Sequence, residues 1–245
     1  MAKVKVLVNG ARGKMGAETV EAVLKEADLE LVGQADLGDD LTKTIQKTKA
    51  EVVVDFTHPS SVLENVKTIL NQKAHAVVGT TGLTPTDLDE IKKLCSKNNV
   101  NCMVAPNFAI GAVLMMKFSK EAAHYMPEVE IIELHHDQKA DAPSGTAIKT
   151  AELILGDRQN IKRKAVKSIE KIKNVRGGEI GGINIHSVRL QGLVAHQEVI
   201  FGGLGQTLKI RHDSISRESF MPGVIMAIRK VKKVKGLVYG LENLL

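Results

Sequence analysis

Aromatic residues make up only 3% of the 245-residue chain, and tryptophan is absent. Because single-stranded nucleic acids are held largely by bases stacked on aromatic rings, this scarcity argues against a nucleic-acid partner. No apolar run approaches the roughly 20 residues of a membrane span. The first residues enter a strand-like pattern without the apolar core of a signal peptide. We therefore expect a cytoplasmic protein with neither a nucleic-acid nor a membrane partner.

Cysteine is also scarce, and Cys95 and Cys102 belong to no metal or redox motif. We expect both to be reduced and buried rather than joined in a disulfide. The histidines lack the spacing of metal ligands, so no metal site is predicted. Basic residues exceed acidic ones by six, and the clusters 162–164 and 230–235 are interpreted as solvated faces. A mild positive field of this kind attracts anionic substrates.

The chain begins with the pattern of a strand, a glycine-rich turn, a helix and a second strand that ends at Asp36. This order is close to the dinucleotide-binding fingerprint, in which glycines let backbone amides approach the pyrophosphate and an acid binds the ribose. The spacing is G-x-x-G-x-x-G rather than G-x-G-x-x-G, and a tight turn without a ligand is the alternative. The predicted cofactor-binding residues of this unit are Gly10, Ala11, Arg12, Gly13, Lys14, Met15, Gly16 and Asp36.

The charges around this turn give opposing indications of which dinucleotide is bound. Asp36 favours NADH, because a carboxylate repels the 2′-phosphate of NADPH. Arg12 and Lys14 favour NADPH, because they can neutralise that phosphate. We predict that both NADH and NADPH are used, with the preference unresolved.

Three further apolar runs, 51–56, 74–78 and 101–105, alternate with helical patterns. Near-continuous apolar runs are typical of parallel strands covered on both faces, so we predict an α/β fold with a Rossmann-type parallel sheet. Ligands of such sheets bind at the carboxyl ends of the strands. Simple turn chemistry is the alternative for these residues. The predicted cofactor contacts at these ends are Phe56, Thr57, Gly79, Thr80, Thr81, Ala105, Pro106, Asn107 and Phe108.

The pattern changes near residue 109. Strand-like runs at 182–190, 194–202 and 207–212 follow one another through short glycine-containing turns. Such runs predict a mixed or antiparallel sheet in a second, α+β domain. The last predicted helix, 216–231, returns to the first domain. We therefore expect residues 1–108 and 216–245 to form a dinucleotide-binding domain, and residues 109–215 to form a substrate-binding and oligomerisation domain.

The stretch 133–147 carries the densest chemistry in the chain. A buried strand ends in a polar loop with His135, His136 and Lys139, and Ser144-Gly145-Thr146 then opens a helix. The free N–H groups of a helix N-terminus and the Lys139 ammonium attract an anion, and the two histidines can donate protons near neutral pH. This stretch is therefore predicted to bind an anion and deliver a proton to it. Surface histidines beside an ordinary helix cap are the alternative.

With these residues in view, the whole chain resembles the dihydrodipicolinate reductase family, also called 4-hydroxy-tetrahydrodipicolinate reductases. The most specific match is Glu133-Leu134-His135-His136 with Lys139, followed by 141–147. The glycine spacing of the first turn is also that of the family. Further family-like segments are 55–57, 79–82, 105–108, 193–198 and 210–214.

The resemblance implies reduction of a small cyclic dicarboxylate in lysine and diaminopimelate biosynthesis, with hydride supplied by NADH or NADPH. It implies that His135 is the proton donor, and that Lys139 stabilises charge or takes part in proton transfer. It further implies substrate binding by His136, Ser144, Gly145 and Thr146. The nicotinamide contacts would fall on the strand ends named above. A homotetramer built through the sheet of the second domain is implied as well.

Two other functions compete with that of a reductase. Another nicotinamide-dependent oxidoreductase, acting on a sugar or an aldehyde, would explain the first domain equally well. It would not need the histidine-lysine loop beside Ser144-Gly145-Thr146, and a thiol mechanism would want a cysteine after the cofactor domain. A redox-sensing regulator would need a partner-binding module, and the sequence offers none.

Overall fold

The computed structural model describes residues 2–156 and 169–245. It divides into two units, one of Met1–Ile110 with Arg217–Leu245 and the other of Gly111–Ser216. The predicted basic cluster at 162–164 lies outside the described residues. Within the described ranges, no helix is long and apolar enough to cross a membrane. Both cysteines are free and buried, as expected from the sequence.

The elements of the first unit are β1 Val4–Asn9, α1 Lys14–Lys25, β2 Leu29–Ala35, α2 Leu41–Thr48, β3 Val52–Asp55, α3 Val62–Asn71, β4 His75–Val78, α4 Pro85–Asn98, β5 Cys102–Val104, α7 Met221–Val231 and β11 Leu237–Tyr239. The described strands form a six-stranded parallel sheet in the order β11-β5-β4-β3-β1-β2. The order reverses between β1 and β3, which is the topological switch point at which such folds bind ligands. The Rossmann-type prediction is confirmed.

The core of this unit follows from the apolar strands. Every residue of β3 is buried, because helices cover both faces of the central sheet. Helix α4 begins at the position that its sequence predicts. The Thr84 side chain accepts from the Asp87 backbone, and the Asp87 carboxylate accepts from the Thr84 backbone, which forms a capping box ahead of Pro85.

Two elements of the first unit, α2 and β11, were not predicted. Helix α2 buries only Ile45, so its apolar signal is weak, and its start is fixed by the Asp40 side chain accepting from the Lys43 backbone. Strand β11 is three residues long and exists because it pairs with β5, far away in sequence. The helix predicted at 216–231 is a short 3-10 helix, Arg217–Phe220, followed by α7.

The described elements of the second unit are α5 Ile110–Ala122, β6 Glu128–His135, α6 Gly145–Leu155, β7 Gly178–Ile180, β8 Ile183–Arg189, β9 Ala195–Gly203 and β10 Gln206–Ser214. Within the part of this unit that the structure describes, the strands form a five-stranded sheet in the order β10-β9-β6-β8-β7. β6 and β8 are parallel and the remaining neighbours are antiparallel, so the predicted mixed sheet is confirmed. Alternate residues of β6 are buried, including Val129, Ile131 and Glu133.

Candidate active site

The turn between β1 and α1 is packed so closely that Gly10 and Gly16 have no room for a side chain. Gly10 has φ +81°, and a Cβ there would lie 2.2 Å from the Phe56 carbonyl oxygen. A Cβ on Gly16 would lie 1.9 Å from the Gly10 carbonyl oxygen. Helix α1 starts at Lys14 without a side-chain cap on Gly13. Its first backbone N–H groups can therefore bind a pyrophosphate, and this arrangement fits a dinucleotide.

Asp36 and Arg12, whose charges favour different dinucleotides, are neighbours in the structure. The Arg12 backbone N–H donates to Asp36 Oδ2 at 2.7 Å, and the Leu37 N–H donates to Oδ1 at 2.8 Å. These two bonds lower the pKa of Asp36, so it is a carboxylate near neutral pH. The Arg12 guanidinium lies 3.8 Å from both Asp36 and Asp39. Lys14 is exposed at the first residue of α1.

Asp55, at the end of β3, joins the loops that follow three strands. It is fully buried and accepts from Asn9 Nδ2 at 2.8 Å and from Thr80 Oγ1 at 2.6 Å. Thr57 Oγ1 donates to the same carboxylate at 2.8 Å, and Asn65 Nδ2 at 3.1 Å. The predicted contacts Thr57 and Thr80 are thus held by a residue to which the sequence analysis gave no role. The sequence signal was an acid at the end of an apolar strand.

The remaining predicted cofactor contacts lie along the carboxyl edge of this sheet. The rings of Phe56 and Phe108 meet edge to face, with centroids 5.9 Å apart. A Cβ on Gly79 would fall 2.0 Å from the Phe56 ring, so glycine is required there by packing. Asn107 Oδ1 accepts from the Ala109 backbone at 2.8 Å. Ala105 is buried, Met15 is half-buried, and Thr81 and Pro106 are exposed.

In the second unit, the predicted proton donor His135 is the last residue of β6. Its Nδ1 lies 2.5 Å from Glu133 Oε2, and Glu133 is fully buried. Burial raises the pKa of Glu133, but hydrogen bonds from His135 and Arg189 outweigh it and hold the pKa at about 2. Glu133 is therefore a carboxylate at neutral pH, although its side chain has no exposed surface.

Arg189, the last residue of β8, pairs with the same carboxylate. Its Nη1 and Nη2 donate to the two Glu133 oxygens at 3.0 and 2.9 Å. Nη2 also donates to the Asp141 carbonyl oxygen at 2.6 Å. Lys139 Nζ donates to both Asp141 carboxylate oxygens, at 2.7 and 2.8 Å, and this contact lowers the pKa of Asp141. Sequence reasoning missed Arg189, which lies far from the loop in sequence.

Helix α6 completes the predicted substrate site. Ser144 is buried and caps the helix, its Oγ accepting from the Ala147 N–H at 3.2 Å. Gly145 is exposed, and an added Cβ would meet nothing within 4 Å. Packing therefore does not demand glycine at this position, and its backbone remains open to a ligand. His136 is exposed and Thr146 is half-buried.

A chain of hydrogen bonds ties the first turn of α6 to the sheet. Gln197 Nε2, on β9, donates to Thr150 Oγ1 at 2.8 Å. Thr150 Oγ1 donates to the Thr146 carbonyl oxygen at 2.7 Å. The backbone N–H of Ser144 donates to Glu133 Oε1 at 3.3 Å. The second unit thus gathers His135, Lys139 and the N-terminus of α6 around one loop, and the first unit gathers the other predicted residues along its sheet edge.

Known proteins match this chain over its full length. Residues 4–108 match the family model "Dihydrodipicolinate reductase, N-terminus", and residues 111–245 match "Dihydrodipicolinate reductase, C-terminus". Curated 4-hydroxy-tetrahydrodipicolinate reductases from Desulfitobacterium hafniense and Syntrophomonas wolfei are 50% and 51% identical, with at least 99% of each chain covered.

A solved structure is also similar to the whole chain. It is the dipicolinate-bound dihydrodipicolinate reductase of a Paenisporosarcina species, at 44% identity and a TM-score of 0.91. The alignment covers 99% of this chain and 100% of that one. The two family models and these relatives together show that the chain belongs to the dihydrodipicolinate reductase family.

Proposed function

We propose that this chain reduces 4-hydroxy-tetrahydrodipicolinate (dihydrodipicolinate) to tetrahydrodipicolinate in lysine and diaminopimelate biosynthesis, with NADH or NADPH as reductant. The observation that carries the proposal is the loop in which His135 is held by buried Glu133, beside Lys139 and the N-terminus of α6. This loop can bind a carboxylate and deliver a proton. Family membership supplies the substrate class.

In this proposal the substrate is held by positive charge and backbone donors. Its carboxylates are bound by His136, by Lys139, and by the backbone N–H groups and hydroxyls of the segment Ser144-Gly145-Thr146. Lys139 forms an ion pair with Asp141 in the structure. When substrate binds, a substrate carboxylate replaces Asp141 as the partner of Lys139. The backbone donors at the start of α6 are fixed before the dianion arrives and need no reorganisation, whereas Lys139 must leave Asp141.

The protein's part in the chemistry is to supply a proton and stabilise charge. A reduced nicotinamide, when bound, supplies the hydride to the ring. His135 donates the proton to the neighbouring ring carbon. Lys139 stabilises the developing charge or takes part in proton transfer.

The first unit is proposed to hold the dinucleotide through residues 1–108 and 216–245. The glycine turn with its uncapped helix binds the pyrophosphate, and Asp36 binds the adenosine ribose. Arg12 and Lys14 accommodate a 2′-phosphate, which is why both NADH and NADPH are proposed. The remaining contacts, Phe56 to Thr57, Gly79 to Thr81 and Ala105 to Phe108, lie along the edge at which such sheets bind ligands.

The second unit, proposed as residues 109–215, binds the substrate and forms a homotetramer. The face of its sheet opposite Glu133 supports the tetramer. The apolar side chains of Ile132, Leu134 and Ile200 are only half-buried there, and association would cover them. Light scattering after size-exclusion chromatography tests the tetramer. A cytoplasmic location is part of the same proposal.

The test is a coupled assay. The substrate is generated from pyruvate and aspartate semialdehyde by its synthase, and the loss of NADH and NADPH absorbance is followed in parallel. We expect both to be oxidised at comparable efficiency. Oxidation of NADH alone would mean that Asp36 dominates, and oxidation of NADPH alone that Arg12 and Lys14 do. Oxidation of neither would overturn the proposed function.

A further inference from the structure

Glu133 is a hub that accepts hydrogen bonds from several sides. Four donors lie within 3.3 Å of its two oxygens: His135 Nδ1, the two η-nitrogens of Arg189 and the backbone N–H of Ser144. Its side chain is fully buried. A buried carboxylate is stable only when its charge is compensated and its lone pairs are used, and these contacts meet both needs.

The charge state of Glu133 decides which tautomer His135 adopts. A pKa of about 2 makes Glu133 a carboxylate, which can only accept hydrogen bonds. The 2.5 Å contact therefore requires a proton on His135 Nδ1. With Nδ1–H committed to Glu133, Nε2 is the ring atom at which His135 can gain or release a proton.

Arg189 connects this histidine to the lysine of the loop. One guanidinium pairs with Glu133, and through Nη2 it also binds the Asp141 carbonyl oxygen. The Asp141 side chain in turn holds Lys139. The positions of His135 and Lys139 are therefore coupled through the ion pair between Arg189 and buried Glu133.

We infer that Glu133 and Arg189 are positioning residues for proton delivery, with Glu133 fixing His135 so that Nε2 is the donor atom. This inference rests on the proposed function for its reaction. In the proton step the Nε2–H bond breaks and its electron pair stays on the ring nitrogen. The new C–H bond uses the electron pair that hydride addition has placed on the substrate's neighbouring carbon. Glu133 takes no proton, and solvent reprotonates Nε2.

The same strand carries a matched control. Glu130 also binds a histidine and an arginine, with His186 Nε2 at 2.9 Å and Arg176 Nη2 at 2.6 Å. Glu130 has 32% of its side chain exposed and contacts none of the proposed site residues in these bonds. Glu130→Gln therefore removes a similar charge from the same strand and leaves the donors around Glu133 in place. Because Glu130 shares its face of the sheet with Ile132 and Leu134, light scattering is used to verify that the variant keeps the wild-type oligomeric state.

The experiment compares Glu133→Gln with Glu130→Gln. In Glu133→Gln one acceptor oxygen becomes an NH₂ group that faces either His135 or Arg189. We expect kcat to fall about 10- to 100-fold, as for other residues that orient a functional imidazole, with KM nearly unchanged and the pH profile of kcat shifted. Glu130→Gln should keep the wild-type kcat and profile. Equal losses in both variants, or an unchanged kcat and profile in Glu133→Gln, would overturn the inference.

A second measurement needs neither a folded variant at position 133 nor turnover. Nitrogen chemical shifts of ¹⁵N-labelled histidine, assigned with His135→Gln, report the ring tautomer in the wild-type protein. At a pH where the ring is neutral, we expect Nδ1 to be protonated and Nε2 bare. The opposite tautomer would overturn the inference even if the enzyme is active. The expected tautomer in a protein without turnover would leave the positioning intact and reject the proposed function.

Discussion

Two buried carboxylates organise the two groups of proposed site residues, and they differ in their partners. Asp55 in the first unit and Glu133 in the second both have no exposed surface, and each lies at or near the end of a strand. Asp55 accepts from amide and hydroxyl groups of Asn9, Asn65 and Thr80. Glu133 accepts from a guanidinium and an imidazole.

This difference suits different tasks. Neutral donors around Asp55 fix loops in place, which a cofactor site needs. An imidazole held by Glu133 can also gain and lose a proton at its other nitrogen, which a proton donor needs. The second unit therefore combines positioning and proton transfer in one cluster, and the first unit only positions.

The largest effect on stability is expected from Asp55→Ala. The change leaves the buried donors of Asn9 and Thr80 without their acceptor, so the free energy of unfolding should fall by about 3 kcal/mol, and NADH should bind more weakly. Urea unfolding and calorimetric titration measure the two quantities. Asp89→Ala, at an exposed position on α4, is the control and should change stability by less than about 0.5 kcal/mol. If both variants were equally stable, Asp55 would not be the residue that holds these loops in place.

The pH dependence of stability tests the charge of Glu133. Its pKa in the folded protein is about 2, below the ordinary value of 4.5. Its contribution is therefore fully present above pH 4.5 and is lost as the pH falls towards 2. Within that window the free energy of unfolding of the wild type should fall more steeply than that of Glu133→Gln, by up to about 1.4 kcal/mol per pH unit. Parallel curves would contradict a charged Glu133.

Cofactor preference should respond to the charges beside the glycine turn. Arg12→Ala should raise the KM for NADPH about tenfold and affect NADH less, because it removes a charged donor from the 2′-phosphate. Asp36→Asn should raise the KM for NADH and leave the KM for NADPH nearly unchanged. Initial rates with NADH and with NADPH, measured in parallel, give the KM for each cofactor. Equal changes in KM for both cofactors would show that neither side chain distinguishes the 2′-hydroxyl from the 2′-phosphate.

The smallest effect is expected from Thr150→Val, which keeps the shape of a fully buried side chain and removes its hydroxyl. It breaks the chain from Gln197 to the Thr146 carbonyl. We expect a loss of about 1 kcal/mol in the free energy of unfolding and a modest rise in substrate KM. Thermal unfolding and initial rates measure these. A stability equal to that of the wild type would show that this chain does not anchor α6.

The sequence predicted the parts of this molecule that depend on local signals. Continuous apolar runs predicted the strands of the parallel sheet, the glycines predicted the tight turn, and Ser144 predicted the start of α6. The histidines and the lysine were recognised because one loop carries them all. These features are local, so each is visible in a short stretch of sequence.

What the sequence did not predict depends on distant partners. Arg189 binds Glu133 because β6 and β8 are neighbouring strands. His135 lies opposite Arg189 in this pairing although the two residues are 54 positions apart in sequence, and no local pattern connects them. Asp55 and Glu133 look like isolated acids in apolar strands until the fold supplies their donors. Strand β11 forms only against β5. Non-local pairing, which sequence periodicity does not encode, accounts for each of these misses.

The most direct test of the account is the turnover of His135→Gln, with His124→Gln as an exposed-histidine control. Both variants are assayed with the coupled system, and NADH affinity is measured separately. The account predicts a loss of about 10²–10⁴-fold in kcat for His135→Gln, with NADH affinity and the control variant unchanged. A kcat for His135→Gln equal to that of the wild type would contradict it.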